Sequence, residues 1–309
     1  MPDVVCIGQS VVDIFVRGIG EELREGLYRQ CESVTLEIGG DATNESRILK
    51  RLGVDVSVVH GRGDDGPGKY LELLFGLDGV DLSRSLVFPE LSTKVVSILL
   101  MKNGDRSIIS SLDGLNFGGF DIVPDMIKGA KIVSFASLFF DPLRDPEHVH
   151  DAAKLIKEHG AVLCADTNGA ANIDIENYHD SFKYFDYIFP NDIEAMTYSK
   201  TRTVEDAASY FLELGTKNVI IKTGKDGCYY TDGKQELYVP SFPVEHVVDS
   251  TGAGDNFAAG FICSLLDGLS IKESLEFACA TASIAIQTVG ASTGVKSKQQ
   301  VLDVIRSKS

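Results

Sequence analysis

From Lys131 to Arg306 the chain alternates short apolar runs with amphipathic stretches of helical period, and this alternation restricts the fold more than any other feature. Ile132–Ala136, Val162–Ala165, Tyr187–Phe189 and Val219–Lys222 read as strands, with helices between them over Pro146–His159, Ile193–Tyr198 and Val204–Leu214. A hairpin over Cys228–Tyr238 turns on Asp232-Gly233, and further helices are expected over Ala253–Leu266, Ser270–Thr288 and Gln299–Arg306. Strands joined through helices pair in parallel and are covered on both faces. The fold class predicted is therefore α/β, a doubly wound, mostly parallel sheet. Ligands of such sheets bind beyond the carboxyl ends of the strands.

The N-terminal part fits this scheme less evenly. Val4–Ile7 and Val11–Val16 read as strands, Asp41–Leu52 as a helix stopped by Gly53, Val54–His60 as a buried strand and Lys69–Phe75 as a short helix. Lys94–Met101 and Arg106–Ser111 flank Asn103-Gly104-Asp105, a hairpin signal. The antiparallel segments near residues 10–38 and 93–111 fall outside the α/β repeat and are expected to form a small β-sheet over the ligand edge, a lid. No repeat, linker or low-complexity stretch divides the chain, so residues 1–309 read as a single domain carrying that lid.

Charge narrows the function. Among 309 residues, 45 Asp and Glu outnumber 29 Lys and Arg, for a formal charge of −16. Such a field repels nucleic acid and anionic membrane, and an anionic substrate needs a locally built site. The longest apolar run, Val95–Met101, is far short of the ~20 residues of a membrane-spanning helix. The N-terminus shows no signal-peptide pattern, and a cytoplasmic location is expected. The six cysteines form no C-x-x-C and mostly sit in apolar runs, so they read as buried free thiols rather than zinc ligands or disulfides.

Two overlapping matches to phosphate-binding loops fail on chemistry. Gly61–Gly66 fits G-x-G-x-x-G but places Asp64 and Asp65 where a pyrophosphate would lie. Gly63 to Lys69 fits G-x-x-x-x-G-K but continues with Tyr70, without a hydroxyl for magnesium. A plain strand-to-helix turn explains both. Asp249-Ser250-Thr251-Gly252-Ala253-Gly254-Asp255 is more informative, because small residues there open an apolar helix and leave its first N–H groups unshielded, an anion hole. Asp255, one turn in, reads either as a base for a hydroxyl attacking a bound phosphoryl group or as an acidic residue favouring the helix dipole.

The run Asp249 to Phe261 (DSTGAGDNFAAGF) resembles the C-terminal signature of the PfkB, or ribokinase-like, family of sugar and nucleoside kinases. Gly39-Gly40-Asp41-Ala42-Thr43-Asn44-Glu45-Ser46, continued by Leu52-Gly53 and Asp65-Gly66, is similar to its N-terminal signature. Asn191-Asp192-Ile193-Glu194 resembles its N-x-x-E motif and Thr223-Gly224-Lys225-Asp226-Gly227 its T-G-x-x-G. The four occur in the family's order.

The resemblance implies a doubly wound sheet with a small β-lid and assigns roles. Asp255 is the catalytic base, and the N–H groups of Gly252, Ala253 and Gly254 stabilise charge on the transferred phosphoryl group. Asn191 and Glu194 position magnesium; Thr223, Gly224, Asp226 and Gly227, with Asn191, face the nucleotide. Asp13, Gly39, Gly40, Asp41 and Asn44 face the acceptor's hydroxyls, and Arg106 resembles a lid arginine reaching a substrate carboxylate or phosphate. Asp166-Thr167-Asn168 resembles the family's D-x-N, with Asn168 on the substrate side, although Gly169, Ala170 and Ala171 replace the Arg that often follows. Asp249 and the Ala285–Gly290 turn resemble a monovalent-cation site for K+.

What the resemblance implies is an ATP- and Mg2+-dependent kinase moving the γ-phosphoryl group to a sugar hydroxyl, with a ketose, pentose or keto-deoxy sugar acid as acceptor. A nucleoside kinase of the same fold is the first alternative, and a non-catalytic ligand-binding relative is one of another class. An exposed lid also offers a surface for pairing with a second copy, as a homodimer.

Overall fold

The computed structural model describes residues 1–19, 30–101, 106–110, 119–169 and 173–308. Its main sheet has eight strands in the order Glu236–Val239, Cys228–Thr231, Val219–Lys222, Tyr187–Ile188, Val162–Thr167, Ile132–Leu138, Val4–Ile7 and Val56–Val59. The strands from Val219–Lys222 to Val56–Val59 are parallel, and the Cys228–Val239 hairpin adds an antiparallel edge.

Alternation along each strand divides the apolar side chains between two cores. Val4 and Cys6 point into one, with Phe257, Phe261 and Phe277 of the helices Ala253–Leu266 and Ile271–Ala285. Val5 and Ile7 point into the other, with Val149, Phe182 and Phe211. The two long helices approach closely at Gly260, where a Cβ would stand 2.6 Å from the Thr281 hydroxyl. All six cysteines are free, five of them buried, and no helix among the described residues is long and apolar enough to cross a membrane.

A second sheet is built from Ser33–Gly39, Val11–Ile19, Val95–Met101 and Arg106–Ser110, in that order. Its outer pairs are antiparallel as expected, but its central pair, Val11–Ile19 with Val95–Met101, is parallel. Between Gly39 and Val95 the chain passes through the main body as helix Asp41–Arg51, strand Val56–Val59 and helix Gly66–Asp78, and it re-enters this sheet from the end it started from. The Asn103-Gly104-Asp105 turn and the Arg106 side chain lie outside the described residues.

The loop carrying the two phosphate-loop matches is the strand-to-helix turn expected. Asp65 caps helix Gly66–Asp78 by accepting from Gly68 N–H at 2.8 Å, a bond of about 1 kcal/mol, and also accepts from the Thr93 N–H and hydroxyl. A carboxylate already fills the place an anion would take.

Candidate active site

The carboxyl ends of the parallel strands and the start of helix Ala253–Leu266 enclose a cavity of about 300 Å3. Asp166, Thr167 and Asn168 reach it from strand Val162–Thr167 and the residue after it, and Lys222 from the last position of Val219–Lys222. Asn191 and Glu194 open helix Asp192–Ser199, while Asp41 and Asn44 come from the first turn of Asp41–Arg51. Asp13 reaches it from the smaller sheet.

The floor is the N-terminus of helix Ala253–Leu266. Gly252 caps it at φ 75°, where a side chain is strained and a Cβ would also meet the Ala291 carbonyl at 2.5 Å. The Asn256 amide donates to the Gly252 and Ala291 carbonyls, each at 2.7 Å, and so fixes the turn. Ala253 N–H closes a long 3.3 Å bond to the Ser250 carbonyl, and Gly252, Ala253 and Gly254 all border the cavity. This backbone concavity suits an anion.

Asp255 stands one residue beyond, 8% exposed, with its Oδ2 accepting from the Asn44 amide at 2.6 Å. Burial, then the charges of Asp41 and Asp166, push its pKa well up, against the pull of Asn44 and Lys222. A carboxylate so placed is poised to take a proton. Asp41 accepts from the Asn168 amide at 2.8 Å, and burial raises its pKa too. Burial likewise lifts Asp13 to about 7, with Lys94 opposing. Gly39, paired opposite Val11, packs against Asp13 so closely that any Cβ there would collide with the carboxylate, which explains the glycine.

Glu194 forms a capping box with Asn191: Glu194 N–H donates to Asn191 Oδ1, and Glu194 Oε2 accepts from Asn191 N–H at 3.0 Å and the Thr167 hydroxyl at 2.7 Å. The Asn191 oxygen is thus engaged in the cap. Among the described residues no group of three His, Cys, Asp or Glu side chains is set to hold a metal ion. The hard carboxylate oxygens of Asp166 and Glu194 nonetheless fit magnesium of the kind held by one or two carboxylates, water and substrate phosphates.

Not every residue singled out in the sequence borders this cavity. Thr223, Gly224, Asp226 and Gly227 form a tight turn just past Lys222, closed by Thr223 N–H on the Gly227 carbonyl at 2.9 Å. Asp249 accepts from Thr251 N–H at 2.9 Å and Gly290 N–H at 3.0 Å, and so joins the loop before the helix to the turn at 290. Conversely, Lys222 went unnoticed in the sequence, as did the part Asp166 plays. Lys222 Nζ donates to Asp166 Oδ1 at 2.5 Å in a buried ion pair. The available signal was topological: a cation on the last residue of a strand in a parallel sheet stands where such sheets bind ligands.

The chain's similarity to known proteins bears on what this site serves. An ATP-dependent 6-phosphofructokinase of Thermoanaerobacterium thermosaccharolyticum is 28% identical over 94% of this chain and 89% of its own. A 5-dehydro-2-deoxygluconokinase of Clostridium perfringens is 29% identical over 98% of this chain and 93% of its own. The structure of an Arabidopsis thaliana ribokinase complexed with ribose and ATP superposes with a TM-score of 0.88, at 25% identity and 99% coverage of both chains, so the fold is ribokinase-like. The pfkB carbohydrate kinase family matches residues 1–298, nearly the whole molecule, and the chain accordingly belongs to the pfkB family and is a carbohydrate kinase, a phosphotransferase.

Proposed function

We propose that this kinase transfers the γ-phosphoryl group of ATP to a primary hydroxyl of a sugar or sugar acid. The observation that carries the reading is the position of Asp255, beside the bare N-terminus of its helix and bonded to Asn44 of the helix that also carries Asp41. Asp255 accepts the hydroxyl proton as oxygen attacks phosphorus, and the N–H groups of Gly252, Ala253 and Gly254 meet the charge that develops on the phosphoryl oxygens. Glu194 and Asp166, together with the nucleotide phosphates, would hold magnesium, which would supply charge neutralisation. The turn at Thr223–Gly227 faces the nucleotide.

Acceptor hydroxyls are met by Asp13, Asp41, Asn44 and Asn168. Among the described residues lining the cavity none is aromatic to stack a nucleobase, which favours a sugar over a nucleoside. The smaller sheet serves as a lid, and Arg106, whose backbone pairs opposite Leu100, is our candidate for an acceptor carboxylate. Val34, Leu36 and Ile109 share one exposed face of that sheet, which supports pairing with a second copy. Asp249, ordering the loop beside the 285–290 turn, supports a K+ site, and the free thiols suit a reducing compartment.

The decisive experiment is ADP release with Mg2+ and ATP across ketoses, pentoses, keto-deoxy sugar acids and nucleosides, with Asp255→Asn as control. Turnover with sugars or sugar acids that the control abolishes supports the reading. Turnover confined to nucleosides overturns the acceptor assignment.

A further inference from the structure

We propose that Lys222 is a phosphate-contacting residue: its ammonium, standing directly in front of Gly254, takes hold of the terminal phosphate of the bound nucleotide, and Asp166 keeps it in place until the nucleotide arrives. The inference rests on the kinase reading above and deepens it. Lys222 Nζ lies 2.5 Å from Asp166 Oδ1, and a Cβ built on Gly254 would stand 3.0 Å from that same nitrogen. The ammonium and the backbone of the anion hole therefore border one space, and a phosphoryl group in it touches both.

Charge supports the assignment. Among the described residues lining the cavity, Asp13, Asp41, Asp166, Glu194 and Asp255 are acidic and Lys222 is the one cation. A nucleotide phosphate entering such a ring is repelled unless positive charge meets it.

A structural role alone explains the pair poorly. Both side chains are largely buried, at 14% and 4% exposure, and a buried ion pair generally returns no more stability than well-packed apolar residues of similar volume. Asp166 accepts one bond from an ammonium with three donors, and a phosphate oxygen can take another without breaking the first.

The test uses the full chain and compares two nucleotides with magnesium, the β,γ-imido analogue of ATP and ADP, by titration calorimetry. Lys222→Met should weaken the triphosphate analogue by 10-fold or more, leave ADP within about threefold and lower kcat by 100-fold or more. Lys222→Arg should recover part of the triphosphate affinity. Asp166→Asn with Lys222→Met leaves no unpaired charge, and it carries the same comparison, against Asp166→Asn alone, if the single variant does not fold. Equal weakening of both nucleotides, or of neither, overturns the proposal. A wild-type protein that binds neither nucleotide overturns instead the kinase reading beneath it, and that is settled before any variant is made.

Discussion

Asn44 and Asp255, 211 positions apart in the chain, meet through a 2.6 Å hydrogen bond from the Asn44 amide to Asp255 Oδ2. The bond occupies one carboxylate oxygen and leaves the other for the proposed proton transfer from the acceptor hydroxyl. Asp255→Asn should therefore keep the fold and nucleotide affinity while lowering kcat by about 10²–10⁴-fold, the usual cost of a lost general base. Activity within threefold of wild type would remove Asp255 from the chemistry.

Glu194 has Oε2 fixed by Asn191 N–H and the Thr167 hydroxyl, while Oε1 lies beside Gly169. Glu194→Gln retains the shape and loses the charge, so the magnesium concentration giving half-maximal rate should rise several-fold. A magnesium titration superimposable on that of the wild type would leave Glu194 a helix cap only.

Gly254→Ala separates stability from activity. Gly254 lies inside the first turn of its helix without positive φ, where alanine is favoured over glycine by about 0.5–1 kcal/mol. The new methyl, however, stands 3.0 Å from Lys222 Nζ and intrudes on the anion hole. Thermal unfolding should show an unchanged or higher Tm, while steady-state assays show turnover at least tenfold lower. Full activity would mean that no phosphate passes this point.

How far the site could be read before the structure depends on chain distance. Asp255, Gly252 and Gly254 are neighbours at a helix start, and helix physics with motif order places them together. Lys222 and Asp166 are 56 positions apart on strands separated by a third, and no local pattern announces their contact. Helix Asp41–Arg51 shows the same limit: its Glu45 and Arg47 are polar yet buried, because the helix is enclosed and both bond to neighbouring elements. Glu45 accepts from the Ser134 hydroxyl at 2.6 Å, and Arg47 reaches Asp78 and the Ser292 hydroxyl. The main sheet was legible because its period is local. The parallel pairing inside the smaller sheet was not, because it depends on the path of the chain through the main body between Gly39 and Val95.

The acceptor side should show its own pH dependence. If Asp13, raised to about 7 by burial, meets the acceptor as proposed, it accepts from hydroxyls best when ionised. KM for the acceptor should rise as pH falls below about 7, approaching tenfold per pH unit, with the nucleotide KM unaffected. In Asp13→Asn the profile should flatten at a uniformly high KM; an unchanged profile would assign the titration elsewhere.

His60 should contribute to loss of stability in acid. It is fully buried against Phe75, neither ring nitrogen has a hydrogen-bond partner, and burial, aided by Arg62, pushes its pKa down from 6.5 to about 3. The unfolded chain thus binds a proton that the native state refuses. The resulting stability is complete above about pH 6.5 and is lost as pH falls toward 3, at up to ~1.4 kcal/mol per pH unit. Denaturant unfolding from pH 7 to 4 should show a shallower loss in His60→Leu than in the wild type, and equal slopes would disprove the assignment.

Asp13 stands on the smaller sheet, while Asp41, Asn44 and Asp255 stand on the main body. On the proposed reading, one part of acceptor recognition, at Asp13, is encoded apart from the base at Asp255, while Asp41 and Asn44 share the main body with it. On that reading, substitutions along Val11–Ile19 or Val95–Met101 should shift which hydroxyls or acids are accepted without disturbing the helix start at Gly252 or Asp255. Exchanging those strands between family members should carry acceptor preference with them, which makes the smaller sheet a natural cartridge for evolving new sugar specificities on a constant phosphotransfer engine.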